Sequence, residues 1–297
     1  MRVASIRVVR AFVVVGVMLS GAGCHKDPQL RVGAKAGTEQ QILGEIIAQL
    51  AEKKLNKPVM RLFSMSNTAM AHEALTSGQV DVYAEDAVSA TIEVLKQDLG
   101  SDGEATFNLC RSQYAANFQT DWLDPLGLDT TMAIVTRKEM VGEIKGSSLS
   151  AASASERPFR IGVSREFNSS KNGYSALQSA YNLRFRDAPR IGTTAAEMFQ
   201  WLDQKQADLI AVEATNSRLA SDKYVILDDD KHVFQTSRTA IVIRKDSRAK
   251  YPGMDAALGR LSGKLSLNTI RQLALEVDAK NRPVPEVATG FLAALAP

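Results

Sequence analysis

The sequence predicts an α/β fold built from two similar halves, and three observations carry that prediction. The stretch 30-LRVGAKAGTEQQILGEIIAQLAEKKL-55 reads as a strand, a glycine-containing loop and a helix, which is the repeating unit of α/β folds. The same grammar returns later: 159-FRIGVSREFNS-169 opens like 30-LRVGAKAGTEQ-40, and 206-QADLIAVEA-214 matches 79-QVDVYAEDA-87. In that match Asp208 falls on Asp81 and Glu213 on Asp86, with 50 residues from Arg31 to Asp81 and 48 from Arg160 to Asp208. Two copies of one supersecondary unit are the simplest source of such a match.

The chain has 297 residues, 45% of them hydrophobic and 23% charged, enough for a substantial core and for two lobes. Its first 24 residues have a basic start, an apolar run from Ala11 to Leu19 and small residues leading into Cys24, the pattern of an export signal. The apolar run is shorter than the roughly 20 residues a membrane span needs. Gly21-Ala22-Gly23-Cys24 resembles a bacterial lipoprotein processing site, in which Cys24 is lipidated. Ser20-Gly21-Ala22 could instead be an ordinary cleavage site that leaves a soluble protein. Arg2, Arg7 and Arg10 all lie in this leader, so the formal charge of +3 falls to about zero without it. With no Lys/Arg-rich run along the chain, nucleic acid is not expected as a partner. Only one other cysteine exists, Cys110, so the mature chain has no disulfide framework, and Cys110 reads as a small buried hydrophobe.

After a polar tether from His25 to Gln29 come the first strand and helix. Thr38 followed by Gln41 has capping-box spacing, and Ile42, Leu43, Ile46, Ile47, Leu50 and Leu55 recur at helical intervals. Residues 68–75 read as a helix carrying His72 on its surface. The run 78-GQVDVYAED-86 reads as a buried strand ending in two acids, and residues 145–157 as a Ser/Ala-rich loop whose alanines allow part of it to be helical. Residues 241–247 form a further strand, and the remaining tail carries helices around Met254, Leu258 and Leu261 and around Ile270, Leu273 and Leu275. A tail that begins with a strand returns to the first lobe. The lobes are then near 29–132 plus 240–297 and near 133–239, with strand-like crossings at Met132 to Thr136 and Thr236 to Val242.

No motif supports an enzyme. His25, His72 and His232 are scattered without metal-ligand spacing, and the chain has no nucleophile elbow, phosphate loop or dinucleotide glycine pattern. No cofactor and no metal are expected. A two-lobed exported chain with a cleft suits a protein that closes on a small ligand.

Six blocks, in order, carry a resemblance to a known family: 37-GTEQQILGEIIAQL-50, 72-HEALTSGQVDVYAED-86, 122-WLDPLGLDTTMAIVTRK-138, 206-QADLIAVEATNSR-218, 224-YVILDDDKHVF-234 and 262-SGKLSLNTIRQL-273. Together they resemble the substrate-binding proteins of ABC importers for glycine betaine, choline and other osmoprotectants. The resemblance implies a type II two-lobe periplasmic-binding-protein fold, two crossover strands, a ligand cleft between lobes, a monomer, and delivery of ligand to an ABC permease in the membrane. It places the protein in the periplasm or cell envelope. The alternative is a sensor lipoprotein of the same fold that reports a ligand to a membrane partner. The run Asp228 to His232 matches a block outside the family's cleft and reads as a solvated turn.

The site residues depart from the family. Its members hold a quaternary ammonium in a cage of tyrosines, where aromatic faces attract the cation by about 0.5–2 kcal/mol each. Where members have P-E-Y-T-G-T this chain has Ala84-Glu85-Asp86-Ala87-Val88-Ser89, and where they have D-A-Y-S-T-D it has Ala211-Val212-Glu213-Ala214-Thr215-Asn216. The resemblance thus puts Asp86, Met132, Glu213, and Ser237 or Arg238 at the four cage positions, with Gln40 and Ser89 as further polar contacts. Such a pocket would favour a hydrogen-bonding cation, or a zwitterion whose carboxylate meets Arg238 if that side chain points inward. Alternatively Arg238 neutralises Glu213. Glu85 is expected to be structural, and Asp86 and Glu213 to touch ligand, although acids in a first helical turn are favoured there without any ligand.

Overall fold

The computed structural model describes residues 29–155 and 157–295. The expected leader and the lipidation at Cys24 lie outside the described residues. Eleven strands are described: β1 (Leu30–Lys35), β2 (Val59–Met65), β3 (Val82–Asp86), β4 (Thr120–Trp122), β5 (Asp129–Thr130), β6 (Met132–Arg137), β7 (Ile161–Ser164), β8 (Arg190–Gly192), β9 (Leu209–Glu213), β10 (Tyr224–Leu227) and β11 (Ser237–Arg244). They form two mixed sheets. The first runs β2-β1-β3-β11-β4, with β5 paired to β11, and the second, read from its far edge, runs β8-β7-β9-β6-β10. In each, three parallel strands are followed by an antiparallel strand from the other half of the chain. This repetition is the internal match read from the sequence.

The matched residues are what hold each unit together. Asp81 accepts from the Arg31 amide at 2.8 Å and pairs with its guanidinium, and Asp208 accepts from the Arg160 amide at the same 2.8 Å. The matched glycines pack too closely for any side chain: a Cβ on Gly33 would lie 2.7 Å from Met65, and one on Gly162 would lie 2.8 Å from Trp201.

Alternate residues of each strand feed opposite layers of core. Val82, Ala84, Ile241 and Ile243 face one helical layer of the first sheet, whereas Tyr83, Ala240 and Val242 face the other. The second sheet divides in the same way, with Ile134, Leu209 and Ala211 opposite Val135, Ile210 and Val212. Covering both faces explains the near-continuous apolar strands, and each fully buried aliphatic side chain contributes about 1.5–3 kcal/mol.

Several local expectations change. The helix Thr38–Leu55 is capped by the Gly37 backbone with no side-chain bond, and the Thr38 hydroxyl donates instead to Asp278 at 2.7 Å. His72 is not a surface residue: it is half-buried, edge-on to Tyr114 and Phe118, and burial lowers its pKa. Part of the Ser/Ala-rich segment is helical, Leu149–Ala154, capped by Ser148. The turn Asp228 to His232 is tied down, because Asp229 accepts from the Tyr181 hydroxyl and from the Phe234 amide. The chain enters the second sheet at Met132 and is back on the first at Ser237, where β5 and β11 form a two-residue ladder. The return is therefore three residues ahead of the expected boundary at 240.

Candidate functional site

A cavity of about 600 Å³ lies between the two sheets, at the carboxyl ends of β1, β3 and β9. Strand ends and helix starts meet there, which is where α/β folds collect ligands. Among the described residues, five carboxylates line it, Glu39, Asp86, Glu93, Glu213 and Asp278, against one cation, Lys35, and none of the lining is aromatic.

Lys35 ends β1 next to the two acids that end β3. Its ammonium lies 2.5 Å from Glu85 and 3.5 Å from Asp86, and also donates to the Thr68 hydroxyl at 3.1 Å. Glu85 is fully buried and further accepts from the Asp86 amide at 2.9 Å and the Tyr83 hydroxyl at 3.2 Å. Burial opposes the charge on Lys35, but Glu85 and Asp86 outweigh it and hold the ammonium protonated. Burial and the Asp86 charge push Glu85 upward while Lys35 pulls it down. These directions compete, and the 2.5 Å contact decides for an ionised pair near neutral pH, since a carboxylate so close to an ammonium gains a charge-assisted hydrogen bond.

Asp86 has a double duty. One carboxylate oxygen caps the helical turn that follows, accepting from the Ser89 amide at 2.8 Å and the Ser237 hydroxyl at 2.9 Å. The other faces Lys35 and the cavity, with the side chain 19% exposed. Burial would raise its pKa, but Lys35 and these hydrogen bonds together lower it, so Asp86 remains charged.

Glu213 ends β9 from the opposite side and opens onto the cavity. Its carboxylate has no hydrogen-bond partner among the described residues, and desolvation in the cleft, with the charges of Glu39 and Asp86, pushes its pKa up to about 7. Glu39, in the first turn of the helix Thr38–Leu55, is also raised, chiefly by desolvation, which the nearby Thr215 hydroxyl and Lys35 counter. The Gln40 amide donates to Glu39 at 2.9 Å, leaving its own oxygen buried and unpaired. The lobes also touch through the helix Leu267–Asp278: Asp278 accepts from Ser217 at 2.7 Å, and the Arg271 guanidinium donates to the Ala214 carbonyl at 2.5 Å.

Of the residues named from the sequence, Gln40, Asp86, Ser89, Met132, Glu213 and Ser237 line the cavity. Met132 sits opposite Glu213 in the β6–β9 ladder and packs on the second lobe's core. Ser237 is a bridge from Asp86 to the Val88 amide. Arg238 is not in the lining and is not paired with Glu213. It pairs with Glu104 at 3.7 Å because alternate residues of β11 face opposite ways. Lys35, Glu39, Glu93 and Asp278 were missed. Lys35 had a legible signal, since it stands 50 residues before Glu85, the same separation as Arg31 from Asp81, so one register carries both pairs.

Residues 28–294 match the OpuAC family, described as the substrate binding domain of ABC-type glycine betaine transport system. The chain is 27% identical over 268 residues to the ergothioneine transport permease/ergothioneine binding protein EgtU of Helicobacter pylori (strain G27), which aligns with 90% of this chain. It spans 48% of the length of that protein. It is 24% identical over 278 residues to the carnitine transport binding protein OpuCC of Listeria monocytogenes serotype 1/2a (strain 10403S), covering 92% of this chain and 89% of that one. In fold it resembles a crystal structure of a glycine betaine/carnitine/choline ABC transporter, with a TM-score of 0.81 at 20% identity over 90% of this chain and 98% of the other.

Proposed function

This chain belongs to the family of substrate-binding domains of ABC-type glycine betaine transport systems, and we propose that it binds a small N–H-bearing cation between its lobes and presents it to an ABC permease. The observation that carries this reading is the cleft lining, which among the described residues has five carboxylates, one lysine and no aromatic ring. Glycine betaine, carnitine and ergothioneine, for which relatives are named, carry a trimethylammonium that has no N–H to donate. Without aromatic faces it forgoes about 0.5–2 kcal/mol per lost ring and is left with charge alone. An ammonium or guanidinium can instead donate to Glu213, Glu39 and the unpaired Gln40 oxygen through short charge-assisted bonds.

The same lining argues against a ligand carboxylate. Lys35 is already shared by Glu85 and Asp86, and Arg238 is turned to Glu104. A zwitterion would have to place its carboxylate on backbone amides, so a carboxylate-free cation, such as a diamine or guanidine, fits better. The lobes near 29–132 plus 240–297 and near 133–239, with β11 from Ser237 assigned to the first, would close on it as a monomer. Export to the periplasm or cell envelope, with a lipid anchor on Cys24, completes the proposal.

A thermal-shift screen of the mature protein tests it, with putrescine, agmatine, arginine, glycine betaine, choline and carnitine. A ligand at 100 times its Kd stabilises the fold by about 2.7 kcal/mol. The expected result is a shift with an amine or guanidine that Glu213→Gln removes. A glycine betaine shift that survives both Glu213→Gln and Asp86→Asn would overturn the reading.

A further inference from the structure

A second cavity, of about 590 Å³, opens at the far pole of the first lobe, away from the cleft. We propose that it is a docking surface for an acidic phospholipid bilayer. Its floor is apolar, built on the buried Leu50 and Leu261, and its rim carries Lys53, Lys54, Arg260 and Lys264, with no acid in the lining among the described residues. All four cations are exposed, and none has an ion-pair partner among the described residues. The nearest acid in sequence, Glu52, is engaged by Arg61 at 2.9 Å. A basic rim around an apolar floor suits an anionic headgroup with an acyl chain behind it.

Helix electrostatics do not explain the whole rim. Lys53 and Lys54 occupy the last turn of the helix Thr38–Leu55, where cations favour the helix dipole. Arg260 lies in the last turn of the short 3-10 segment Gly259–Leu261 that continues the helix Met254–Leu258, more than 200 residues away in the chain, whereas Lys264 lies beyond that segment and has no such role. The C-terminal helix Val284–Leu295 ends at the same place and contributes Leu292 and Leu295.

The position is what ties the cavity to a membrane. Leu30 at the start of β1 pairs with Val59 at the start of β2, and the helix between these parallel strands runs back to that same end of the sheet. Its last turn, with Lys53 and Lys54, therefore lies at the pole where the chain enters the fold. Only five residues lie between Cys24 and Leu30, so the two are at most about 20 Å apart along an extended chain. An acyl group on Cys24 would hold the bilayer against this pole, and the basic rim would meet it. The binding itself needs no acyl group, so its test is separate from that of the cleft and of the anchor.

The test is cosedimentation of the mature protein carrying Cys24→Ser with vesicles of phosphatidylglycerol or of phosphatidylcholine. The expected result is salt-sensitive binding to phosphatidylglycerol only, weakened about fivefold for each rim cation changed to alanine. The quadruple variant should melt within a few degrees of the parent and lose binding by a factor on the order of hundreds. Equal binding to both vesicles, or phosphatidylglycerol binding unchanged in a folded quadruple variant, would overturn the proposal. Binding of monomeric dodecyl phosphate without any vesicle binding would also overturn it, in favour of a soluble amphiphile.

Discussion

Replacing Lys35 by methionine should destabilise the protein in a strongly pH-dependent way. The side chain is 11% exposed and Glu85 is fully buried, so the substitution fills similar space but leaves Glu85 without its cation. Breaking a buried pair from one side costs about 3–5 kcal/mol. Protonation of Glu85 sets a ceiling on that loss. Holding a carboxyl neutral at pH 7, when its ordinary value is 4.5, costs about 1.4 kcal/mol per pH unit, or about 3.4 kcal/mol. At pH 5 the same cost is about 0.7 kcal/mol. The sign follows for the variant: with Lys35 no longer pulling it down, burial and Asp86 hold Glu85 above its unfolded value, so the variant keeps its stability below about 4.5 and loses it as pH rises. Asp86 is not expected to add much, because it keeps the Ser89 amide and the Ser237 hydroxyl. Urea unfolding should therefore show Lys35→Met costing about 3 kcal/mol at pH 7 and under about 1 kcal/mol at pH 5, with Glu85→Gln recovering most of the difference in the double variant. A loss below about 1 kcal/mol at pH 7, independent of pH, would show that Glu85 does not depend on Lys35.

Three further outcomes follow from the same geometry. Glu213, pushed up to about 7 by desolvation and by Glu39 and Asp86, is half-protonated near neutrality, so a cationic ligand should expel protons on binding. Calorimetry at pH 7 in phosphate and in Tris should report that release, affinity should fall below pH 7, and Glu213→Gln should abolish the buffer dependence. Arg238→Ala should leave ligand affinity within about twofold, because its partner Glu104 lies outside the cleft and rim pairs contribute little; a larger loss in titration would place the guanidinium on the ligand. Cys110 is buried, bonds to Thr91 and the Ala87 carbonyl, and has its thiol pushed up to about 12 by burial. Maleimide should label it only after unfolding in guanidinium, whereas labelling of the native protein would indicate local opening around the helix Gly103–Asn117.

Most of the fold was legible because its signals are periodic and local. Alternation in the strands, helical spacing after Thr38 and the recurrence of R-h-G and h-D-h all survive in a linear reading. What was not legible depends on contacts between distant elements. Thr38 and Gln41 have capping-box spacing, yet Asp278, 240 residues away, takes the Thr38 hydroxyl. His72 reads as a surface residue until Tyr114 and Phe118 fold over it. Arg238 was placed by alignment to one position of a strand, and a shift of one residue reverses the face of the sheet. The basic rim at the far pole was invisible because its four cations come from two short segments more than 200 residues apart in the chain.

The two halves share a frame but assign different tasks to the acids that end it. In the first lobe the register of Arg31 with Asp81 continues four residues on to Lys35 with Glu85. In the second lobe the same step from Arg160 and Asp208 reaches Ser164 and Val212, an uncharged pair. Asp86 therefore finds an ammonium beside it and is fixed by a cap, whereas the matching Glu213 finds none and stays raised toward neutral pH. A ligand cation approaching the cleft meets one carboxylate already satisfied and one that gains its first partner. Binding energy should then be concentrated on Glu213, so Asp86→Asn should weaken binding less than Glu213→Gln although both residues face the same cavity. Titration of the two variants with the cation that stabilises the parent would decide it, and a larger loss from Asp86→Asn would mean that the ligand displaces Lys35 rather than supplying the cation that Glu213 lacks.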